Sequence, residues 1–168
     1  MKTTLQRNLK RILATLLLGI STIVATQVAA APLVVSADGM EVTDSATGLI
    51  WRRCAEGMVF SLGACTGTAS TFTHELALAR ARTEATATVV AWRLPSVKEL
   101  TSIADKTLSN PAIDPVAFPV TPAGAFWSAS PDVGDSYYAW VVNFINGFVV
   151  NLNYRGYSYY VRLVRAGQ

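Results

Sequence analysis

Short blocks of hydrophobic and polar residues alternate from Met40 onwards, and their lengths predict small elements joined by turns. Residues 40–43 and 49–51 are apolar enough to form two short strands. Residues 44–48 between them have turn composition, because Asp bonds its own following backbone and Gly tolerates a positive φ. Residues 54–71 are rich in Gly, Ser, Thr and Ala and predict a loop.

Two short helices are predicted in the middle of the chain. Residues 73–84 form the first, with a threonine as N-cap and a glutamate in the first turn. Residues 89–92 then predict a short buried strand. Ser96 and Glu99 form a capping box, in which the hydroxyl and the carboxylate each satisfy a free backbone N–H. The second helix is therefore predicted from residue 97 to about residue 104.

The last third of the chain has a β pattern, after a proline-rich connection over residues 105–124. The predicted strands cover residues 126–130, 138–144, 148–152 and 159–164. Asn146 and Gly147 are the strongest hairpin signal of the chain and predict a type I′ turn. Helices early and antiparallel strands late indicate a single α+β domain with two short helices and an antiparallel sheet.

The core is predicted from alternation and from the aromatic residues. Val161 and Leu163 alternate with Arg162 and Arg165, so the two apolar side chains are expected inward and the arginines outward. Arg93 precedes a Leu-Pro break and is expected to pair with a buried carboxylate or carbonyl. The four tryptophans lie in apolar strand patterns, and we expect them to be mostly buried: Trp51, Trp92, Trp127 and Trp140.

The N-terminus has the charge and apolar order of a secretory signal peptide. Four cations precede an uncharged apolar run over residues 12–20, and small residues follow up to Pro32. Val28 and Ala30 fit the two small pockets of the cleavage site, which predicts a signal peptide over residues 1–30 and a domain over residues 31–168. A retained anchor is the alternative, since residues 12–31 are about long enough to span a membrane.

Removal of the predicted signal peptide changes the net charge of the protein, and with it the kind of partner that we expect. The formal net charge of +3 falls to −1, because the remaining ten Lys and Arg face eleven Asp and Glu. A nucleic-acid-binding domain needs a basic footprint, so we expect no nucleic-acid partner. Cys54 and Cys65 are the only cysteines, and an even pair in an exported chain predicts a disulfide worth about 3 kcal/mol. Their spacing fits neither a zinc site nor a redox motif.

Tyrosines and amides crowd together near the C-terminus, after a polar loop that holds two aspartates. Tyr gives large contact area at small entropic cost, and Asn and Arg give adaptable hydrogen bonds, which is also the composition of antibody-combining sites. A Tyr-rich antiparallel sheet is the alternative interpretation. The candidate ligand-binding residues are Asp132, Asp135, Tyr138, Asn151, Asn153, Tyr154, Arg155, Tyr157 and Tyr159.

The sequence gives little support for a catalytic site. His74 is the only histidine and is expected to be solvated at a helix start, and no G-x-S-x-G elbow is present. Asp132 and Asp135 could act as a glycosidase carboxylate pair or bind Ca²⁺, but their spacing and the glycine between them favour an exposed turn. We therefore expect no catalytic residues, no metal and no cofactor.

Five motifs occur in order between residues 40 and 168. They are Asp44-x-x-Thr47-Gly48-Leu49-x-Trp51-x-Arg53-Cys54 with Cys65, Trp92-Arg93-Leu94-Pro95-x-x-Lys98-Glu99-Leu100, Phe118-Pro119 with Phe126-Trp127-Ser128-Ala129-Ser130, Ala139-Trp140-x-Val142-x-Phe144, and Val161-Arg162-Leu163-Val164-Arg165. Together these motifs resemble the Lcl C-terminal domain family, which is named after a collagen-like bacterial adhesin. The resemblance covers residues 40–168, and the collagen-like Gly-x-y repeats of that adhesin are absent.

The second of these motifs also resembles formylglycine-generating-enzyme-like domains, a branch of the C-type-lectin fold. The resemblance implies that fold without the catalysis, because no cysteine follows Cys65 to match the active-site cysteines of those enzymes. Residues 143–160 resemble the hypervariable segment of proteins diversified by retroelements.

The function expected from these observations is an exported binding module, located in the periplasm, on the outer surface or in the medium. Its ligand would be a glycan or another cell-surface molecule, and no membrane span would remain after processing. The alternatives are an exported carbohydrate-active hydrolase and a diversified receptor-type protein.

Overall fold

A computed structural model describes residues 33–167, so the predicted signal peptide lies outside the described residues. The first half contains β1 (Leu33–Val35), β2 (Glu41–Asp44), β3 (Leu49–Arg52), β4 (Val59–Ser61), β5 (Ala64–Thr66), β6 (Thr71–Phe72) and α1 (His74–Thr88). The second half contains α2 (Val97–Ser102), β7 (Ala125–Pro131), β8 (Tyr138–Asn143), β9 (Phe148–Tyr154), β10 (Tyr159–Tyr160) and β11 (Val164–Ala166). The predicted α+β class is confirmed.

The strands form three sheets. One has the order β1-β2-β3-β11, the largest has the order β6-β10-β7-β8-β9, and β4 and β5 form a separate hairpin. All neighbours pair antiparallel except β10 and β7, which run parallel. The first and the last described strands, β1 and β11, are the two edges of the first sheet, where Val164 on β11 pairs with Trp51 on β3. In the largest sheet β9 is an edge strand, so its outer side is not paired within the described residues.

The inner strands of the largest sheet, β7 and β8, are packed on both faces. Phe126 and Val142 pack into one hydrophobic cluster with Trp51 and Leu100, which come from β3 and α2. Their neighbours Trp127 and Val141 pack into a second cluster, which includes the alanines of α1. Successive residues of a strand point to opposite faces, so β7 and β8 each supply both clusters.

The predicted last strand is wrong in extent and in the placement of Arg162. Residues 159–164 are divided between β10 and the start of β11, and the chain between them crosses from one sheet to the other. Both sides of this crossing are covered, so Val161, Arg162 and Leu163 are all fully buried. The Arg162 guanidinium donates to the carbonyls of Arg52 and Arg53 and to Thr121 Oγ1.

The end of α1 also differs from the prediction. The helix continues to Thr88, and Val89 follows as a left-handed C-cap with φ 55°, where a buried strand was predicted. The Thr88 hydroxyl donates to the Glu84 carbonyl in the last turn of the helix. Val89 itself is 92% exposed, while Trp92 three residues later is buried.

The local predictions around the loops were largely correct. Cys54 and Cys65 are bonded, as predicted, although the loop they join contains the β4–β5 hairpin. The β8–β9 hairpin is confirmed, but its turn is not type I′. Only Gly147 has a positive φ, of 74°, and its N–H closes a four-residue loop on the carbonyl of Asn143 at 2.8 Å. Gly48 and Asp44 close the β2–β3 turn in the same way.

The tryptophan and capping predictions hold with one exception. Three tryptophans are buried, whereas Trp140 on β8 is partly exposed. The Ser96–Glu99 capping box is present and begins α2. Arg93 pairs with this same Glu99 carboxylate, at 2.7 and 2.8 Å, in a partly exposed position.

Candidate ligand-binding surface

Pairing of β8 with β9 brings the two predicted binding segments together. Tyr138 pairs with Tyr154, and Ala139 pairs with Asn153, beyond an irregularity in the register. The loop before β8 folds back on the same place, because the Asp132 N–H donates to the Tyr138 carbonyl and the Tyr138 N–H to the Asp135 carbonyl. The residues that sequence reasoning singled out therefore lie at one end of the largest sheet.

Four tyrosines form a continuous row of rings, which we call the tyrosine surface: Tyr138, Tyr154, Tyr157 and Tyr159. Ring centroids lie 6.5 Å apart for Tyr138 and Tyr154, 5.7 Å for Tyr154 and Tyr157, and 6.3 Å for Tyr157 and Tyr159. The planes of successive rings are inclined by 70°, 81° and 69°. Tyr154 and Tyr157 are 47% and 57% exposed, so the middle of the row is the part open to a ligand.

Two rings of the row, those of Tyr159 and Tyr154, pack against the rest of the domain. Tyr159 packs on the buried Trp127 with centroids 4.9 Å apart, and the Trp127 indole N–H donates to the Phe72 carbonyl at 2.8 Å. A Cβ added at Gly156 would lie 2.4 Å from Cε1 of Tyr154, so the Tyr154 ring rests directly on that backbone. These contacts hold the Tyr154 and Tyr159 rings in place before any ligand binds.

The amides and the arginine mostly hold the surface together. Asn153 accepts from the Tyr159 hydroxyl at 3.1 Å and donates to the Val150 carbonyl at 3.2 Å. Arg155 donates from Nε to the Tyr138 carbonyl at 3.3 Å. These two side chains therefore position tyrosines and the backbone that carries them, so direct ligand contact falls mainly to the rings.

The two aspartates shape the loop before β8. One oxygen of Asp132 accepts from the Gly134 N–H at 2.8 Å, and the other accepts from the Asn151 amide at 3.1 Å. Asp135 accepts from the Tyr137 N–H at 2.9 Å. Both carboxylates thus make local turns of the kind the sequence favours, in the loop whose backbone bonds to that of Tyr138.

His74 is buried, which corrects the expectation that it is solvated. Its exposed fraction is 2%, its ring lies 5.2 Å from that of Trp127, and Nε2 donates to the Ser128 carbonyl at 3.0 Å. Burial lowers the pKa of His74 below its ordinary value. The sequence held a signal for this, because His74, Ala77 and Ala81 repeat at the spacing of one helix face.

Sequence reasoning missed the exposed apolar residues of the edge strand. Phe148, Val150 and Leu152 on β9 are 57%, 41% and 67% exposed. It also missed a shallow cavity of about 620 Å³ at the C-terminal end of α1, which is lined by Ile50, Val89, Val90, Ala91, Arg165, Ala166 and Gly167. Arg165, the one charged side chain of this lining, is already paired with Glu41 at 2.7 Å.

Two absences hold for the described residues. Within residues 33–167, His, Cys, Asp and Glu side chains do not gather in groups of three or more that could hold a metal ion. Neither helix over the same residues has the length and hydropathy that crossing a bilayer requires.

Comparison with known proteins gives one family. The sequence profile described as the Lcl C-terminal domain matches residues 40–165, which include every element from β2 to β10 and most of β11. No curated protein matches the chain. The match covers well over half of the sequence and the whole tyrosine surface. The chain therefore belongs to the Lcl C-terminal domain family.

Proposed function

We propose that this chain is an exported binding module that recognises a glycan or another cell-surface molecule through the tyrosine surface. The observation that carries the proposal is the position of Tyr154 and Tyr157, which are exposed in a row of rings backed by buried Trp127. Exposed aromatic side chains held rigidly on a scaffold are the usual anchors of a binding surface.

The chemistry of the surface suits sugars and similar ligands. Tyrosine faces stack on the C–H faces of sugar rings, and the phenol hydroxyls bond to sugar hydroxyls. The rings are preorganised by Gly156 and Trp127, so little conformational entropy is lost on binding.

The central test removes one ring at a time. The mature protein is first screened on a glycan array to find a ligand, and binding of that ligand is then measured for Tyr154→Ala and Tyr157→Ala. We expect each change to weaken binding by tenfold or more and to leave the free energy of unfolding nearly unchanged, because both rings are exposed. Loss of folding in both variants would contradict the proposal.

Two control variants make this comparison sharp. Tyr137→Ala removes a tyrosine that is 69% exposed in the loop before β8 and outside the row of rings, so binding should be unchanged. Leu163→Ala removes a fully buried side chain between the two sheets and should cost about 2–5 kcal/mol of stability without removing a ligand contact. If Tyr137→Ala weakens binding as much as Tyr154→Ala does, the row of rings is not the binding site.

Export is a separate part of the proposal and has its own test. The basic residues and the apolar run of the leader support it. Mass spectrometry of the folded protein recovered from producing cells should show a new N-terminus at or next to Ala31. Folded protein that retains Met1 in bulk would contradict export.

The same protein tests the proposed absence of catalysis. Both candidate carboxylates accept hydrogen bonds from backbone N–H groups of their own loop, which supports a turn role. Polysaccharide cleavage that Asp132→Asn or Asp135→Asn abolishes without unfolding would establish a hydrolase.

A further inference from the structure

We infer that protonation of His74 takes the tyrosine surface apart, so that the protein releases its ligand as the pH falls. The inference rests on the proposed function and adds the regulation of that same surface. Two features of the structure carry it: the start of α1 is bonded to the segment that holds the exposed rings, and the buried imidazole at this point has no acceptor for a second proton.

The first residue of α1 is bonded to the turn that carries the exposed tyrosines. The His74 backbone N–H donates to the Arg155 carbonyl at 3.0 Å, and Arg155 lies between Tyr154 and Tyr157 in the chain. The Arg155 N–H in turn donates to the Tyr137 carbonyl at 2.9 Å. The turn is therefore fixed between the start of the helix and the loop before β8.

The imidazole of His74 packs against the residue that supports the row. Its ring centroid lies 5.2 Å from that of Trp127, and Tyr159 packs on the same Trp127 with centroids 4.9 Å apart. Nε2 donates to the Ser128 carbonyl at 3.0 Å, so a neutral ring carries its proton on Nε2 and none on Nδ1. His74 is thus connected to the row both by its backbone and by its side chain.

The folded protein does not accommodate a second proton on this ring. His74 is 2% exposed, and its Nδ1 has no hydrogen-bond partner within residues 33–167. A proton on Nδ1 would create a buried donor without an acceptor, together with a buried positive charge. Both are costly in a protein interior.

The charges that act on His74 come from two parts of the chain. Burial is the largest cause that lowers the pKa of His74 below its ordinary 6.5, and the charge of Arg155 lowers it further. The bond to Ser128 and the charge of Glu75 in α1 oppose this shift. From β7 the imidazole meets Trp127 and Ser128, and neither of these side chains carries a charge.

Movement of the imidazole into water relieves the cost of protonation, because its pKa then returns to about 6.5. The closed arrangement is therefore fully favoured above pH 6.5, and its advantage is lost as the pH falls from there towards the lowered pKa. When the ring leaves, Trp127 loses a neighbour and the bond from the His74 N–H to the Arg155 carbonyl is given up. Tyr154 and Tyr157 then lose their fixed positions.

The test follows the aromatic signals of the mature protein, without ligand and without a histidine tag, by NMR from about pH 7.5 to about pH 4.5. His74 is the only histidine of the chain, so its ring signal is unambiguous. We expect the ring signals of Tyr154, Tyr157 and Tyr159 to change with the same midpoint as the imidazole, below pH 6.5. The amide signals of β2 and β3 should keep the positions of the folded protein.

Two results of this titration would overturn the inference. In the first, the tyrosine signals do not follow the imidazole, so the surface does not respond to its protonation. In the second, the signals of β2 and β3 change together with those of the tyrosines, so the whole domain unfolds and the surface does not open by itself. Both readouts come from the unaltered protein and do not depend on the folding of a variant.

Variants locate the effect. His74→Gln keeps a donor for the Ser128 carbonyl but takes up no proton, so the tyrosine signals should stay constant over this range. Glu75→Gln is the matched control, because it removes a titrating group from the next residue and should retain the transition. A transition that persists in His74→Gln, or that disappears in Glu75→Gln, would overturn the inference.

Ligand binding distinguishes this inference from the proposed function. A neutral glycan found on the array should bind the parent protein at least about tenfold more weakly at about pH 5 than at about pH 7.5, and His74→Gln should bind it equally at both. If the parent binds it equally at both, the inference fails and the proposed function stands. If the ring signals follow His74 but no arrayed glycan binds at either pH, the proposed function fails and the opening of the surface stands.

Discussion

Two buried side chains, His74 and Arg162, show how polar groups are accommodated in this core. Arg162 is fully buried, yet backbone carbonyls and Thr121 accept its hydrogen bonds and the Phe118 ring lies against it. Burial lowers the pKa of Arg162 to about 9, which still leaves it charged at neutral pH. His74 is the opposite case, because its Nδ1 has no partner among the described residues and the neutral ring is the form that fits.

We predict that His74 makes stability depend on pH. Its pKa in the folded protein lies below the ordinary 6.5, with burial and the charge of Arg155 lowering it and Ser128 and Glu75 opposing them. The neutral ring therefore contributes fully above pH 6.5, and this contribution is lost as the pH falls from there towards the lowered pKa. Urea unfolding at about pH 7.5 and about pH 5 should show the loss.

The control for this prediction is His74→Gln. Glutamine offers an N–H to the Ser128 carbonyl but takes up no proton in this range. The variant should therefore show a flatter dependence of stability on pH than the parent protein. An unchanged slope would show that other groups cause it.

A sequence pattern records the face that a residue takes, and does not record which distant element covers that face. Arg162 alternates with Val161 and Leu163 as an outward residue would. It is buried because a second sheet covers the side that would otherwise meet solvent. His74 was misplaced for a related reason, since burial depends on Trp127, which lies far away in sequence.

Elements fixed by neighbouring residues were predicted well. The capping box of α2, the N-cap of α1 and the position of the β8–β9 hairpin all depend on residues within a few positions of one another, although the type of the hairpin turn was predicted wrongly. The end of α1 and the division between β10 and β11 were predicted wrongly. The division between β10 and β11 depends on sheet pairings between residues more than a hundred positions apart, such as Arg165 with Ile50.

The start of α2 gives a second pH prediction. The Arg93 guanidinium bonded to Glu99 lowers the pKa of that carboxyl to about 2, and the Ser96 N–H contributes. The stability from this carboxylate is present above its ordinary pKa of 4.5 and is lost as the pH falls from there to about 2. Glu99→Gln should flatten that part of the acid unfolding curve, measured by circular dichroism.

A stability comparison at neutral pH complements the acid curve. Ser96→Ala should cost about 0.5–2 kcal/mol, because it removes the N-cap hydroxyl. Ser136→Ala in the exposed loop before β8 is the matched control and should change little. Equal effects of the two changes would mean that the capping box does not stabilise α2.

At the scale of the whole molecule, the fold leaves one aromatic surface open. Large apolar side chains are buried in two hydrophobic clusters. The row of tyrosines lies outside them, where β9 ends and the chain turns towards β10. Composition alone indicated this row. Its register could not be predicted, because the irregularity between Ala139 and Val141 sets which residue faces Tyr154.

The most direct measurement of the central claim maps where a ligand binds on the folded protein. Amide shifts of the isotope-labelled mature domain are followed during titration with a ligand found on the array. The account predicts that the largest changes fall in residues 132–138 and 151–159, around the tyrosine surface. Changes confined to the cavity beside Val89 and Arg165, with residues 151–159 unaffected, would contradict it.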